Sequence, residues 1–109
     1  MASGQKFTAI LCANDRLALG AIDTLRERGI DCPGEVSVTG FNDMPFLELL
    51  RPKLTTIRIQ QHSAGRTAAE ILLKLMNPGL MNPGSSSNVP LETILPVEIV
   101  IRESTAHCR

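Results

Sequence analysis

Tryptophan and tyrosine are absent, and the only aromatic side chains are Phe7, Phe41 and Phe46. A platform that stacks single-stranded nucleic acid needs several exposed aromatic faces among basic residues, which three phenylalanines do not supply. A surplus of either charge is also missing: 11 Lys and Arg balance 11 Asp and Glu, for a formal net charge of zero. Gripping a phosphate backbone usually takes a basic excess, so these 109 residues are by themselves a poor DNA-binding unit. A basic helix lying on a membrane surface is disfavoured for the same reason. No apolar run approaches the ~18 residues of a membrane span. The first six residues, Met1-Ala2-Ser3-Gly4-Gln5-Lys6, lack the apolar centre of a signal peptide and read as a native start or a cloning remnant. The expected compartment is the cytoplasm. Three cysteines, an odd number at irregular spacing, argue against a disulfide scaffold.

What is present fits one globular domain, with 43% hydrophobic and 20% charged residues. Residues 7–13, Phe-Thr-Ala-Ile-Leu-Cys-Ala, form a nearly continuous apolar run, the pattern of a strand buried on both faces. Residues 16–28 follow as an amphipathic helix, with Leu17, Ala18, Ala21, Ile22 and Leu25 on one face. Asn14 suits its N-cap and Asp15 the positive end of its dipole, while Gly29 suits the left-handed residue that closes it. Pro33-Gly34 marks a turn, and residues 36–41 read as a second strand, giving a strand–helix–strand unit of a parallel sheet.

Asn42-Asp43-Met44-Pro45 is a loop, residues 46–50 a single helical turn stopped before Pro52, and residues 54–59 a third strand. Residues 61–76 form a second amphipathic helix, with Ala64, Ala68, Ile71, Leu72 and Leu75 as its stripe. A mobile loop is expected over 77–92, where Met-Asn-Pro-Gly occurs twice in succession, the mark of a small duplication in a tolerant segment. Residues 95–101 read as a last strand, starting at or edged by Pro96, and residues 102–109 as a polar tail. The expected organisation is a tail over 1–6, the domain over 7–105 and a terminal tail over 106–109.

Catalytic and metal chemistry find little to work with. Cys12 lies in an apolar strand, Cys32 beside a turn and Cys108 in the tail, and no His-Cys spacing suggests a nucleophile pair or a zinc site. No Gly-x-Gly-x-x-Gly or Lys-bearing phosphate loop occurs, so neither metal nor cofactor is expected. Position is more informative. In an open parallel sheet, ligands bind beyond the carboxyl ends of the strands, and two such ends carry Asn14-Asp15 and Asn42-Asp43. Amides and carboxylates suit a polyhydroxyl ligand, because each hydroxyl both donates and accepts. Local roles compete: Asn14 as a helix cap, and Asp43 in a turn with its own backbone.

The order of residues then becomes specific. Cys12-Ala13-Asn14-Asp15-Arg16-Leu17-Ala18-Leu19-Gly20-Ala21 resembles the C-A-N-D-x-x-A-x-G-A segment of the lac-repressor-type (LacI/GalR) family of bacterial transcription regulators. Residues 35–43, Glu-Val-Ser-Val-Thr-Gly-Phe-Asn-Asp, resemble its D-V-S-V-x-G-F-D-D, and Pro52-Lys53-Leu54-Thr55-Thr56-Ile57 its P-x-L-T-T-I. Residues 95–105 resemble its closing L-P-x-x-L-V-x-R-x-S-T. Four motifs stand in register.

The resemblance implies an α/β fold: part of a Rossmann-like, type I periplasmic-binding-protein-like domain with a mostly parallel sheet and two main helices. It implies the last third of such a regulator, without the DNA-reading helix-turn-helix. DNA is then a partner only through that other domain. The other implied partners are a small-molecule effector, a sugar foremost, and a second copy in a homodimer; no enzyme activity is implied. Asn14 falls where the family binds effector, and Asn42 where many members place an Asp that bonds sugar hydroxyls. Asp15 and Asp43 join them as ligand-binding candidates, either directly or from behind. Ile59 lies near a position that is polar in some members. Leu19, Ile22, Asp23, Phe46, Leu47 and Leu50 are the interface candidates. The alternatives are a piece of a periplasmic or extracellular sugar-binding protein of the same fold, a small enzyme using Asp15, Asp43 or Cys12, and a self-associating fragment without ligand.

Overall fold

The computed structural model describes residues 4–77 and 92–108. The loop expected over 77–92 lies, apart from its two end residues, outside them. The chain divides into two compact units, Met1–Ile59 with Glu98–Arg109, and Gln60–Val97. The first holds β1 (Ala9–Leu11), α1 (Asp15–Glu27), β2 (Ser37–Thr39), a 3-10 helix (Pro45–Leu49), β3 (Thr56–Arg58) and β4 (Glu98–Val100). The second holds α2 (Gln61–Met76).

β1 and β2 pair in parallel, with Ile10 opposite Val38. A single parallel bridge from Thr39 to Thr55 ties β2 to the approach of β3, and β4 pairs antiparallel with β3, Ile99 opposite Ile57. The described strands thus form two two-stranded sheets, β1–β2 parallel and β3–β4 antiparallel, and the parallel bridge between them continues the mostly parallel order expected.

α1 begins as its sequence dictates. Asn14 is extended, and its Oδ1 accepts the Leu17 N–H at 2.9 Å, satisfying one of the donors a helix start leaves over. The end is equally legible. Gly29 adopts φ +70°, its N–H donates to the Arg26 carbonyl, and the Ile30 N–H donates to the Leu25 carbonyl. That is the double closure of a left-handed glycine cap. Ala18, Ile22 and Leu25 are buried on one face and pack with Val36, Val38, Leu47 and Leu54, which together form the core. Leu17, expected in the stripe, is exposed instead, because at 3.6 residues per turn it lies about 100° round the helix from the face that Ala18, Ile22 and Leu25 share.

β1 also departs from expectation. Ile10 and Cys12 pack against the core, but Leu11, on the opposite face, is 80% exposed. Alternation puts neighbours on opposite faces of a strand, and only the face toward α1 is covered by the described residues. α2 has the bounds expected of it, yet none of its residues is buried. Its stripe members Leu72 and Leu75 are about half exposed. Periodicity says which face a helix would bury, not what covers it, and α2 is the only helix or strand described in its unit. An exposed Arg66–Glu70 pair at 3.2 Å adds little to its stability.

The expected polar tail is not loose where it begins. Ser104 is wholly buried: its hydroxyl donates to the Val38 carbonyl at 2.6 Å and accepts the Thr55 N–H at 2.8 Å. The closing segment thus fastens β2 to the approach of β3, and further contacts join Ser37 to Ala106 and Thr55 to Thr105.

Candidate functional site

The turns that follow β1 and β2 are tied together. The Asp15 N–H donates to the Phe41 carbonyl at 3.2 Å, and the Asn42 N–H donates to the Ile57 carbonyl of β3 at 2.9 Å. Residues from three strand ends therefore meet at one edge of the first unit, where a parallel sheet places its ligands.

Asp15 and Asp43 look inward. Asp15 is fully buried, and each of its carboxylate oxygens is used. Oδ1 accepts the Thr56 hydroxyl at 2.7 Å, and Oδ2 accepts the Met44 N–H at 2.8 Å. Gly40 makes room for it: a Cβ there would run into the Asp15 carboxylate and Leu54. The same Thr56 hydroxyl oxygen accepts the Asp43 N–H at 3.4 Å, so one threonine joins the two Asn-Asp pairs.

Asp43 is held by charge. Its Oδ1 accepts from Arg102 Nη2 at 2.7 Å and its Oδ2 from Arg58 Nε at 2.8 Å. Burial pushes its pKa upward, but the two guanidiniums outweigh that and hold it below the usual 3.8. The same contact raises Arg58 above its usual value. Arg102 is anchored in turn through Nη1 to the Leu54 carbonyl at 3.0 Å, and through its backbone N–H to the Thr55 hydroxyl at 2.9 Å. Arg58 also lies 3.8 Å from Glu98, its partner across the β3–β4 pair.

Asn42 and Asp43 have φ of +121° and +56°, the region that Asn and Asp enter more readily than other non-glycine residues. The carboxylate of Asp15, the hydroxyl of Thr56 and the carbonyl of Ile57 pin backbone N–H groups on both sides of this bend. The side chain of Asn42 makes no hydrogen bond with the described residues. Asn14 spends its Oδ1 on the helix cap, and its NH2 makes none either. Each pair thus divides its labour: the asparagine keeps amide groups available, and the aspartate is consumed in holding the turn.

Of the four ligand candidates, Asp15 is inaccessible and has a donor on each oxygen, an arrangement that fits support from behind, the second of the two roles expected for it. Asp43 supports the loop through its arginines. Thr56, Arg58, Arg102 and Ser104 were not singled out from sequence. The available signal was polar side chains embedded in β-branched runs, Thr55-Thr56 beside Ile57 and Arg102 directly after Ile101.

The interface candidates separate in the same way. Leu47 is wholly buried in the core and offers no surface, whereas Ile22 belongs to the core and also lines the hollow beside it. Phe46 is partly buried against that core. Leu19, Asp23 and Leu50 line an open hollow of about 500 Å³, together with Arg26, Leu49 and Arg51. Arg26 Nη2 closes one side by donating to the Arg51 carbonyl at 2.6 Å. Cys12 and Cys32 are partly buried, and burial raises both thiols, the wrong direction for a nucleophile. Among the described residues no group of three His, Cys, Asp or Glu side chains converges, and no helix is long and apolar enough to cross a membrane.

Residues 2–105 match the periplasmic binding protein-like domain family. The HTH-type transcriptional regulator MalR of Streptomyces coelicolor is 40% identical over 103 residues, 94% of this chain and 28% of the regulator. The regulator GalR of Escherichia coli is 44% identical over 72 residues, 66% of this chain and 21% of GalR. Among solved structures, a LacI family regulator from Arthrobacter in complex with lactose superposes with TM-score 0.73 at 34% identity, covering 96% of this chain and 37% of that one. A lac repressor dimer bound to operator and an anti-inducer gives TM-score 0.79 at 33% identity, over 97% of this chain and 34% of that one. An Enterococcus faecalis LacI family regulator with bound ribose gives 0.79 at 29%, over 99% of this chain and 38% of that one. The chain thus spans between about a fifth and two fifths of the length of each of these proteins. It belongs to the LacI/GalR family of bacterial transcriptional regulators and corresponds to the C-terminal part of their periplasmic-binding-protein-like region.

Proposed function

We propose that the chain forms one wall of an effector-binding cleft in a LacI/GalR regulator, where the side-chain amides of Asn14 and Asn42 read the hydroxyls of a sugar or other small polar metabolite. One observation carries this reading: two amides with hydrogen-bonding capacity to spare flank a turn region that buried and ion-paired aspartates hold in place. The lactose and ribose in related regulators support the ligand class. In an intact regulator, effector would bias two arrangements of the sensor and so alter DNA affinity through a helix-turn-helix outside the matched region. Such a protein works in the cytoplasm, binding its ligand rather than transforming it. Asn42, an amide where many members have a carboxylate, both donates and accepts, so the preferred hydroxyl pattern differs from theirs.

The test separates capping from binding at Asn14. Asn14→Asp keeps an acceptor for the Leu17 N–H but removes the NH2. In a regulator carrying this region, it should leave thermal stability within about 0.5 kcal/mol and lower the affinity for its inducing sugar at least tenfold. Unchanged affinity in both Asn14→Asp and Asn42→Ala would refute the assignment. The 109-residue chain alone, with one wall, should bind lactose or ribose more weakly than millimolar; tighter binding by calorimetry would contradict the one-wall reading.

We further propose that the hollow lined by Leu19, Asp23, Leu49 and Leu50 is where a second copy docks. The exposed apolar area of Leu19 and Leu49 beside the exposed charges of Asp23 and Arg26 suits a symmetric partner. Light scattering over a concentration series should give a dimer that Leu19→Glu converts to monomer; a mass that is monomeric throughout rejects the proposal.

A further inference from the structure

We propose that Arg102 is a positioning residue for this site, acting through Asp43 on the amide of Asn42. The proposal rests on the reading of Asn42 as an effector contact. Its support is the way the guanidinium is mounted. One prong, Nη1, is fixed on the Leu54 carbonyl at 3.0 Å; the other, Nη2, reaches Asp43 Oδ1 at 2.7 Å. The Arg102 N–H is itself fixed on the Thr55 hydroxyl, and the side chain is only 16% exposed. A planar fork tied at both ends transmits position as a single rigid strut, which an ammonium on a flexible stem does not.

The object at the far end needs such a strut. Asn42 and Asp43 both sit at positive φ, a conformation that costs non-glycine residues free energy and persists only where the surroundings over-determine it. On the amino side the Asn42 N–H is fixed on Ile57, and on the carboxyl side the Met44 N–H is fixed on Asp15. Between them the strongest hold is the Asp43 carboxylate, and its better-buried partner is Arg102 rather than Arg58, whose side chain is half exposed. Removing Arg102 therefore leaves the Asp43 carboxylate to the half-exposed Arg58 alone, which loosens the bend that Asp43 shares with Asn42 and the backbone from which the Asn42 amide projects.

The experiment is nuclear magnetic resonance on the isotope-labelled 109-residue chain, without effector. Three signals are followed: the Asp43 carboxyl carbon against pH, the three-bond N–H to Hα couplings of residues 42 and 43, and the Asn42 side-chain NH2 pair. In Arg102→Gln the Asp43 midpoint should rise, the two couplings should move toward averaged values, and the NH2 pair should shift. Asp43→Asn should shift the same couplings and NH2 pair, and the double variant should add little to either, since both act along one path. Arg102→Lys keeps the charge without the fork. It should leave the Asp43 midpoint low while the Asn42 signals still move, and it substitutes for Arg102→Gln if that chain does not fold. The proposal fails if Arg102 variants move signals around Leu54 and Thr55 while Asn42 and Asp43 stay in place, since Arg102 would then only staple strands. No effector enters this measurement, so its failure leaves the effector reading standing. Conversely, a positive result here with no loss of sugar affinity in Asn42→Ala would remove Asn42 from the effector reading and leave the strut standing.

Discussion

The two Asn-Asp pairs look alike in sequence and are built differently. Asn14-Asp15 starts a helix: the backbone needs an acceptor there, the cap supplies it, and the aspartate turns inward to neutral donors, the Thr56 hydroxyl and the Met44 N–H. Asn42-Asp43 has no helix to start. It bends through positive φ, and its aspartate is held by two arginines. The first pair is stabilised by burial and geometry, the second by charge. Hence the first should respond to changes of shape, and the second to acid.

The largest effect is expected at Asp15. Asp15→Ala leaves the Thr56 hydroxyl and the Met44 N–H in a buried space without acceptors, and each orphaned group costs about 1–3 kcal/mol. A loss of about 3 kcal/mol lowers the melting temperature by roughly 10–20 °C in a domain of this size. Asp15→Asn keeps the shape but faces a donor with a donor, so it should fall between. Calorimetric melting of the three chains gives the order; an alanine variant as stable as the parent would mean that the turn does not depend on this carboxylate.

Next comes Asp43, and here pH sharpens the contrast. Its folded pKa lies below the usual 3.8, so its stabilisation is fully present above that value and disappears as pH falls through the lower folded one. Asp43→Asn should cost about 1–2 kcal/mol at pH 6, given charge-assisted bonds from a well-buried and a half-exposed arginine. The difference from the parent should shrink steadily below pH 4. A gap that is the same at pH 6 and at pH 2.5 would show that charge is not what holds the loop. Asn14→Ala, which removes only a cap, should cost about 1 kcal/mol with no such acid dependence.

The sequence was most legible where local rules decide. Asn14 and Gly29 marked the ends of α1 because capping chemistry acts over three or four residues. The bounds of α2 were legible for the same reason, in the periodicity of residues 61–76. Its burial was not, since that depends on what faces the stripe; the identical argument held for Ile22 and Leu25 because Leu47 and Leu54 come to meet them. Leu47 itself was placed on a surface because a five-residue helical turn carries too little pattern to show which side faces in. In the site, the amides were legible from their place at strand ends. Thr56, Arg102 and Ser104 were not, because each acts on a partner 41 to 66 residues away in sequence, and no local pattern encodes that separation. The closing Arg-x-Ser looked like a solvated tail until its serine proved to be buried between β2 and the approach of β3.

The smallest expected effect separates conformation from chemistry at Asn42. Its φ of +121° is one that glycine adopts without steric penalty, whereas a Cβ there is strained. Asn42→Gly removes that strain but also adds freedom to the unfolded chain, so the two changes nearly cancel and the net shift should stay within about 0.5 kcal/mol. The backbone bond from residue 42 to the Ile57 carbonyl survives, because it uses no side chain. The amide does not survive. Asn42→Gly should therefore melt with the parent while a regulator carrying it loses response to its sugar. Asn42→Ala should lose the response and melt lower, because alanine keeps the strain and enters positive φ less readily than asparagine does. If glycine were as damaging to stability as alanine, positive φ would not be what constrains residue 42. If glycine preserved the sugar response, the amide would not be what the effector reads, and only the turn itself would matter.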